Sequence, residues 1–100
     1  MPSDKVLLKR WVERREGEAF RQITTRYAPM VYATCLRVLG NPVEAEDAAQ
    51  ECFESLIKTD KGPRSHLGAW LHRVAVNCSL ARVRSEERRR YRDHRYARQQ

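Results

Sequence analysis

Five carboxylates, Glu44, Glu46, Asp47, Glu51 and Glu54, lie within eleven residues of a chain whose formal charge is +7. Carboxylates this close could act as a general acid and base, hold a cation, or meet a basic partner. Acid–base work needs a buried pair with separated pKa values, and these acids sit in a strongly helical stretch. Wound at about 100° per residue, Glu44, Asp47, Glu51 and Glu54 fall within roughly 80° of one another, with Gln50 at their edge. Ala45, Ala48, Ala49, Cys52 and Leu56 take the other side. The acids therefore form a stripe on an exposed face. The helix dipole favours the earliest of them, but Asp47, Glu51 and Glu54 gain little from it and repel one another. The stripe is either an ordinary solvated face or a docking face for a basic partner.

A second set of residues lies further along. His66, Trp70, Arg73, Asn77 and Arg84 fall within about 60° on the same kind of wheel. Aromatic, cationic and amide groups together suit single-stranded nucleic acid, whose bases stack while its phosphates pair with arginine. A Gly- and Pro-bearing loop, "TDKGPRS", precedes them and adds Arg64. The plain alternative is a tryptophan that finishes the core among exposed polar neighbours. From Arg82 to Gln100 the chain adds eight arginines against Glu86, Glu87 and Asp93, a net +5. Clustered arginine with a pI near 9.8 points to a polyanion, unless the tail is merely solvated.

Other chemistry finds no support. His66, His72 and His94 make no ligand spacing with Cys or carboxylates. No Gly-rich phosphate loop is present. Cys35, Cys52 and Cys78 form no CxxC, and each falls on an apolar helical position, so three reduced core thiols are expected. The expectation is a protein that is not an enzyme and uses no metal or cofactor. No apolar run reaches the ~20 residues of a membrane span, and the N-terminus lacks a signal-peptide core, so a cytoplasmic location is expected.

These side chains need helices to position them. One hundred residues make one small domain, and strand alternation is missing, which favours an all-α fold of about four helices. Ser3 or Asp4 can cap a first helix with Val6, Leu7, Leu8, Trp11 and Val12 on its apolar side. A second runs from about Glu18 to Leu39 on Phe20, Ile23, Tyr27, Val31, Cys35, Leu36 and Leu39, with a kink expected at Pro29. Gly40 stops it. Asn41 caps a third helix, with Pro42 in its first turn and Glu44 completing a capping box, and that helix reaches about Lys58. Ser65 can cap a fourth, starting near His66, with Leu67, Leu71, Val74, Cys78 and Ala81 as its core stripe, running into the arginine-rich tail.

"GEAFRQITTRYAPMVYATCLRVLGNPVEAEDAAQECFESL" followed by "LGAWLHRVAVN" resembles region 2 of the extracytoplasmic-function group of bacterial RNA polymerase sigma factors. The resemblance covers about Val6 to Arg84. It implies a compact bundle of the sigma region 2 type over residues 1–84, with 85–100 an arginine-rich tail or the start of an interdomain linker. It implies that the helix from Asn41 docks on the clamp helices of the polymerase β′ subunit. Asp47, Gln50 and Glu51 match the docking positions, and Glu54 continues them.

The loop over residues 59–67 matches one that captures a flipped base of the minus-ten promoter element. The helix with Trp70, Arg73 and Asn77 matches the one that melts and holds the non-template strand. Implied partners are core RNA polymerase and promoter DNA, and the resemblance allows an anti-sigma factor. The chain departs from the family pattern at Val76, where many relatives are basic, and at Ala81, where an Asp is common. The family also carries a second, helix-turn-helix domain for the minus-thirty-five element. The chain ends at Gln100 without it, which implies an isolated domain or a truncated relative. Two other classes remain at this point: a stand-alone duplex-binding regulator and a protein-binding helical adaptor.

Overall fold

A computed structural model describes residues 1–60, 62–63 and 66–98, with the backbone of Gln99. Its helices are α1 (Asp4–Arg14), α2 (Gly17–Leu39), α3 (Pro42–Lys58) and α4 (Leu67–Gln99). No strand occurs among the described residues. Helix α2 packs on all the others, and α4 packs on both α2 and α3.

Local chemistry sets the ends. The Ser3 hydroxyl accepts from the Val6 amide and starts α1. The Asn41 side chain accepts from the Val43 and Glu44 amides, so one group satisfies two orphan donors at the start of α3. Gly40, at φ 70°, closes α2 in the left-handed conformation that glycine adopts without strain. Helix α2 passes through Pro29 as one helix. The Ser65 cap expected for α4 lies outside the described residues; the His66 carbonyl accepts the first amide bond, from Trp70.

The core joins one stripe from each helix: Leu7 and Trp11, Ala19, Ile23, Val31 and Cys35, Ala45, Ala48, Cys52, Phe53 and Leu56, and Leu67, Leu71 and Ala75. Two details correct the sequence reading. Val6 is exposed. The buried edge of α4 runs through Leu67, Leu71, Ala75 and Ser79, whereas Val74 and Cys78 flank it and Ala81 is exposed. The helix is rotated by roughly 60° from the expected stripe, because small side chains permit a closer approach than bulky ones. The Cys52 thiol donates to the Leu71 carbonyl at 3.4 Å, and the Cys35 thiol lies 4.0 Å from the Ala75 carbonyl.

All three cysteines are free thiols. Burial pushes Cys52 up to about 12, and burial, then the Glu51 carboxylate, also raises Cys78. Neither is poised to become a thiolate.

The Ser79 hydroxyl is buried and has no hydrogen-bond partner among the described residues. A hydroxyl in that position opposes folding, and alanine is the better helix former. Ser79→Ala is expected to stabilise the protein by about 1 kcal/mol, a rise of roughly 5 °C in melting temperature for a domain of this size. Thermal denaturation followed by circular dichroism checks it, and a lower melting temperature would refute the account.

Candidate functional site

Helix α3 turns its acids outward. Glu44, Glu46, Asp47, Gln50 and Glu54 are all exposed, while Ala45, Ala48, Cys52 and Leu56 are buried on the other side. Glu51 behaves differently. Its carboxylate forms an ion pair with Arg82 of α4. Burial works against the Arg82 charge, yet the hydrogen bond to Glu51, with Asp47 and Glu44 nearby, raises its pKa above the ordinary guanidinium value. The stripe thus carries one internal cation at its edge and leaves Asp47, Gln50 and Glu54 toward solvent.

Sequence reasoning missed this pair, although a signal existed. Arg82 continues the Leu67, Leu71, Ala75 and Cys78 line on the α4 wheel, and a cation on a core-facing line needs an acid across the interface.

On α4, His66, Arg73, Asn77 and Arg84 are exposed around a half-buried Trp70, which packs against the core. One side of Trp70 finishes the core and the other borders the polar face. Arg64 lies outside the described residues.

The start of this face borders a groove of about 700 Å³ between α1, Pro63 and the first turn of α4. Leu8, Val12 and Leu67 give it an apolar wall, Lys5 and Lys9 are balanced by Asp4 and Glu13, and Tyr27, His66 and Gly68 also line it. The role of α1 was not legible from sequence, because nothing in a helix 50 residues upstream tells which loop it will face.

Several contacts build that groove. Gly62, at φ 69°, lies so close to α1 that an added Cβ would fall 2.8 Å from Val12 Cγ2. Arg15, just after α1, donates to the Ile57 carbonyl at 2.9 Å and the Thr59 carbonyl at 3.2 Å. It thereby ties down the C-terminal end of α3, where orphan carbonyls need donors, and it also stacks over Trp11 at 4.9 Å.

At the other end, Asp4 accepts from the Arg26 guanidinium at 2.6 Å and from the Tyr27 hydroxyl. Burial alone would raise the Asp4 pKa, but the Tyr27 and Arg26 bonds outweigh it and hold the carboxyl below its usual value. Burial and the Asp4 bond push the Tyr27 phenol up to about 12. The ring so fixed lies 3.1 Å from where a Cβ on Gly68 would stand.

Among the described residues no group of His, Cys, Asp or Glu is placed to hold a metal ion. No helix among them is long and apolar enough to cross a membrane. What the arrangement offers is two polar faces on one scaffold: acidic on α3, and aromatic and basic on α4.

Comparison with known proteins identifies the family. The family model for sigma-70 region 2 matches residues 23–89. The ECF RNA polymerase sigma factor SigW of Bacillus subtilis is 35% identical over 78 residues, which is 76% of this chain and 42% of that protein. SigG of Mycobacterium tuberculosis, also an ECF sigma factor, is 34% identical over 79 residues, 77% of this chain and 21% of that protein. SigK of a Mycobacterium species is 31% identical over 97 residues, 94% of this chain and 50% of that protein. The chain thus spans half or less of the length of these curated relatives. No solved structure gives a significant match. With its four packed helices, its outward acids on α3 and its Trp70-centred face on α4, the chain belongs to the sigma-70 region 2 family, as found in extracytoplasmic-function sigma factors.

Proposed function

We propose that this chain is a transcription initiation domain that docks on core RNA polymerase through α3 and melts the minus-ten promoter element with α4. The carrying observation is that one rigid scaffold presents two chemically opposite faces. Asp47, Gln50 and Glu54 stand outward on α3 and suit the basic side chains of a polymerase subunit, for which the β′ clamp helices are the candidate. Glu51 belongs to this set but is shared with Arg82. His66, Trp70, Arg73, Asn77 and Arg84 make the nucleic-acid face.

The groove beside His66 offers a flipped base an apolar wall, an aromatic ring and polar side chains of both charges, Lys5 and Lys9 with Asp4 and Glu13. Extruding a base costs a few kcal/mol, which a pocket and stacking partners must offset. The arginine-rich end of α4 strengthens attraction to promoter DNA. An anti-sigma factor that covers the acidic face would compete with the polymerase, and a soluble, cytoplasmic setting follows from this reading.

Fluorescence anisotropy with a labelled single strand of minus-ten type tests the melting face. Arg73 is exposed, so Arg73→Ala removes charge with little loss of packing. It is expected to weaken binding and to lower the log–log salt slope by roughly 0.7, as one phosphate contact on a single strand requires. A slope and affinity equal to those of the parent protein would remove the Trp70–Arg73 face from the single-strand contact and overturn the melting reading.

A further inference from the structure

Helix α4 does not end with the bundle. It runs 33 residues, roughly 50 Å at 1.5 Å per residue, and the molecule is 60 Å long but only 24 and 21 Å across. Beyond Arg84 the described side chains are exposed apart from a half-buried Glu86. An isolated helix of this length is marginal in water because its first turn is costly to nucleate. Here the packed half of α4 supplies the nucleus, and Glu86 pairs with Arg89 and Arg90 at i+3 and i+4, which supports the projecting half.

Eighteen residues make five turns of an α-helix, so Arg84 lies directly in line with His66. Continued at the same pitch, Arg84, Arg88, Tyr91, Arg95 and Arg98 fall within about 80° and on the same side as Trp70, Arg73 and Asn77. Arg84, Arg88 and Tyr91 share one surface concavity, with Glu87 at its margin. The acids mostly lie elsewhere. Glu86 and Asp93 are on the opposite side, and Glu86 is neutralised by its own arginines. Arg84, Arg88 and Arg95 have no ion pair among the described residues. Exposed Leu80 is the apolar interruption between the two halves of the line.

We propose that the projecting half of α4 is an arginine rail that carries the nucleic-acid face onto the sugar–phosphate backbone of duplex DNA adjoining the melted strand. The inference rests on the reading of α4 as the melting face and adds a second, double-stranded contact to it. Charge and composition select the duplex. Along the projecting half the line sets four arginines against one aromatic, Tyr91, a balance that suits a run of phosphates more than a strand of unpaired bases. Four arginines spread over about 21 Å suit a duplex, which presents one charge per ~1.7 Å of axis. The Tyr91 hydroxyl can donate to a phosphate, as tyrosines at such interfaces do.

Two double variants of the full 100-residue chain separate a rail from a diffuse basic tail. Arg88→Ala with Arg95→Ala removes two charges from the line. Arg89→Ala with Arg90→Ala removes two from the other side. Anisotropy is read against a short duplex, a single strand, and a fork joining the two, with helicity checked by circular dichroism. The first variant is expected to bind duplex at least ~10-fold more weakly in low salt. Its salt slope should fall by about 1.8, twice the value for one duplex phosphate. Its single-strand affinity should change less than about threefold, and the second variant should stay within about threefold on every probe. Equal losses in the two variants would overturn the rail, and so would unchanged duplex binding by the first. If the rail dependence on duplex holds while Arg73→Ala leaves single-strand binding untouched, the rail stands as a duplex contact and the melting-face reading fails.

Discussion

Asp47→Arg is expected to abolish binding to a fragment carrying the β′ clamp helices while leaving the melting temperature within a degree or two of the parent. Asp47 is exposed on α3 and is not among the ion-paired residues of the described chain. Inside the fold it is one of the nearby carboxylates that favour the Arg82 charge. Reversing a charge in a polar interface places like charges together and typically costs several kcal/mol, which corresponds to a loss of at least ~100-fold in affinity. Titration calorimetry reads the affinity, and an unchanged value would end the docking assignment for α3.

Glu51→Arg is a less clean probe of the same surface. It would set a second guanidinium against Arg82, so weaker docking should come together with a lower melting temperature. The contrast between the two variants separates interface from fold.

Leu71→Ala should have the largest effect on stability. Leu71 is fully buried where α4 meets the rest of the core, and its carbonyl accepts from the Cys52 thiol. Truncating a buried leucine costs about 2–5 kcal/mol, because the lost transfer energy adds to the cavity left behind. At roughly 4–8 °C per kcal/mol for a domain of this size, the melting temperature should fall by about 8–40 °C. A fall under about 3 °C would mean that α4 does not pack through this edge. Ala81→Gly tests the other side of the helix: as Ala81 is exposed, only the helix-propensity cost of about 1 kcal/mol is expected.

Much of the fold is written in local sequence. The Asn41–Pro42 cap, the Gly40 stop and the 3.6-residue spacing of Ile23, Tyr27, Val31 and Cys35 each act over one or two turns, and the observed helices follow them. The exposure of Asp47 and Glu54 was legible for the same reason. Carboxylates opposite a line of alanines cannot lie against a core, whatever else the chain does. The family match also rests on such linear patterns.

The azimuth of α4, the choice of Glu51 as the acid that meets Arg82, and the groove lined by Leu8, Val12 and Tyr27 were not legible. Periodicity says that Leu71 is buried, but Val74 and Ala81 compete with Ala75 and Ser79 for the centre of the buried edge. The choice depends on how closely α2 and α3 allow the helix to approach. Sequence alone determined which helices form, where they stop and which charges must face water, because capping, propensity and amphipathic spacing are short-range. Tertiary packing alone decided which Glu51 oxygen meets Arg82, how Arg15 and Gly62 bring the loop against α1, and which side of Trp70 stays open. Those outcomes depend on side-chain volumes and charges brought together from residues more than 30 positions apart, and no local pattern records such distances.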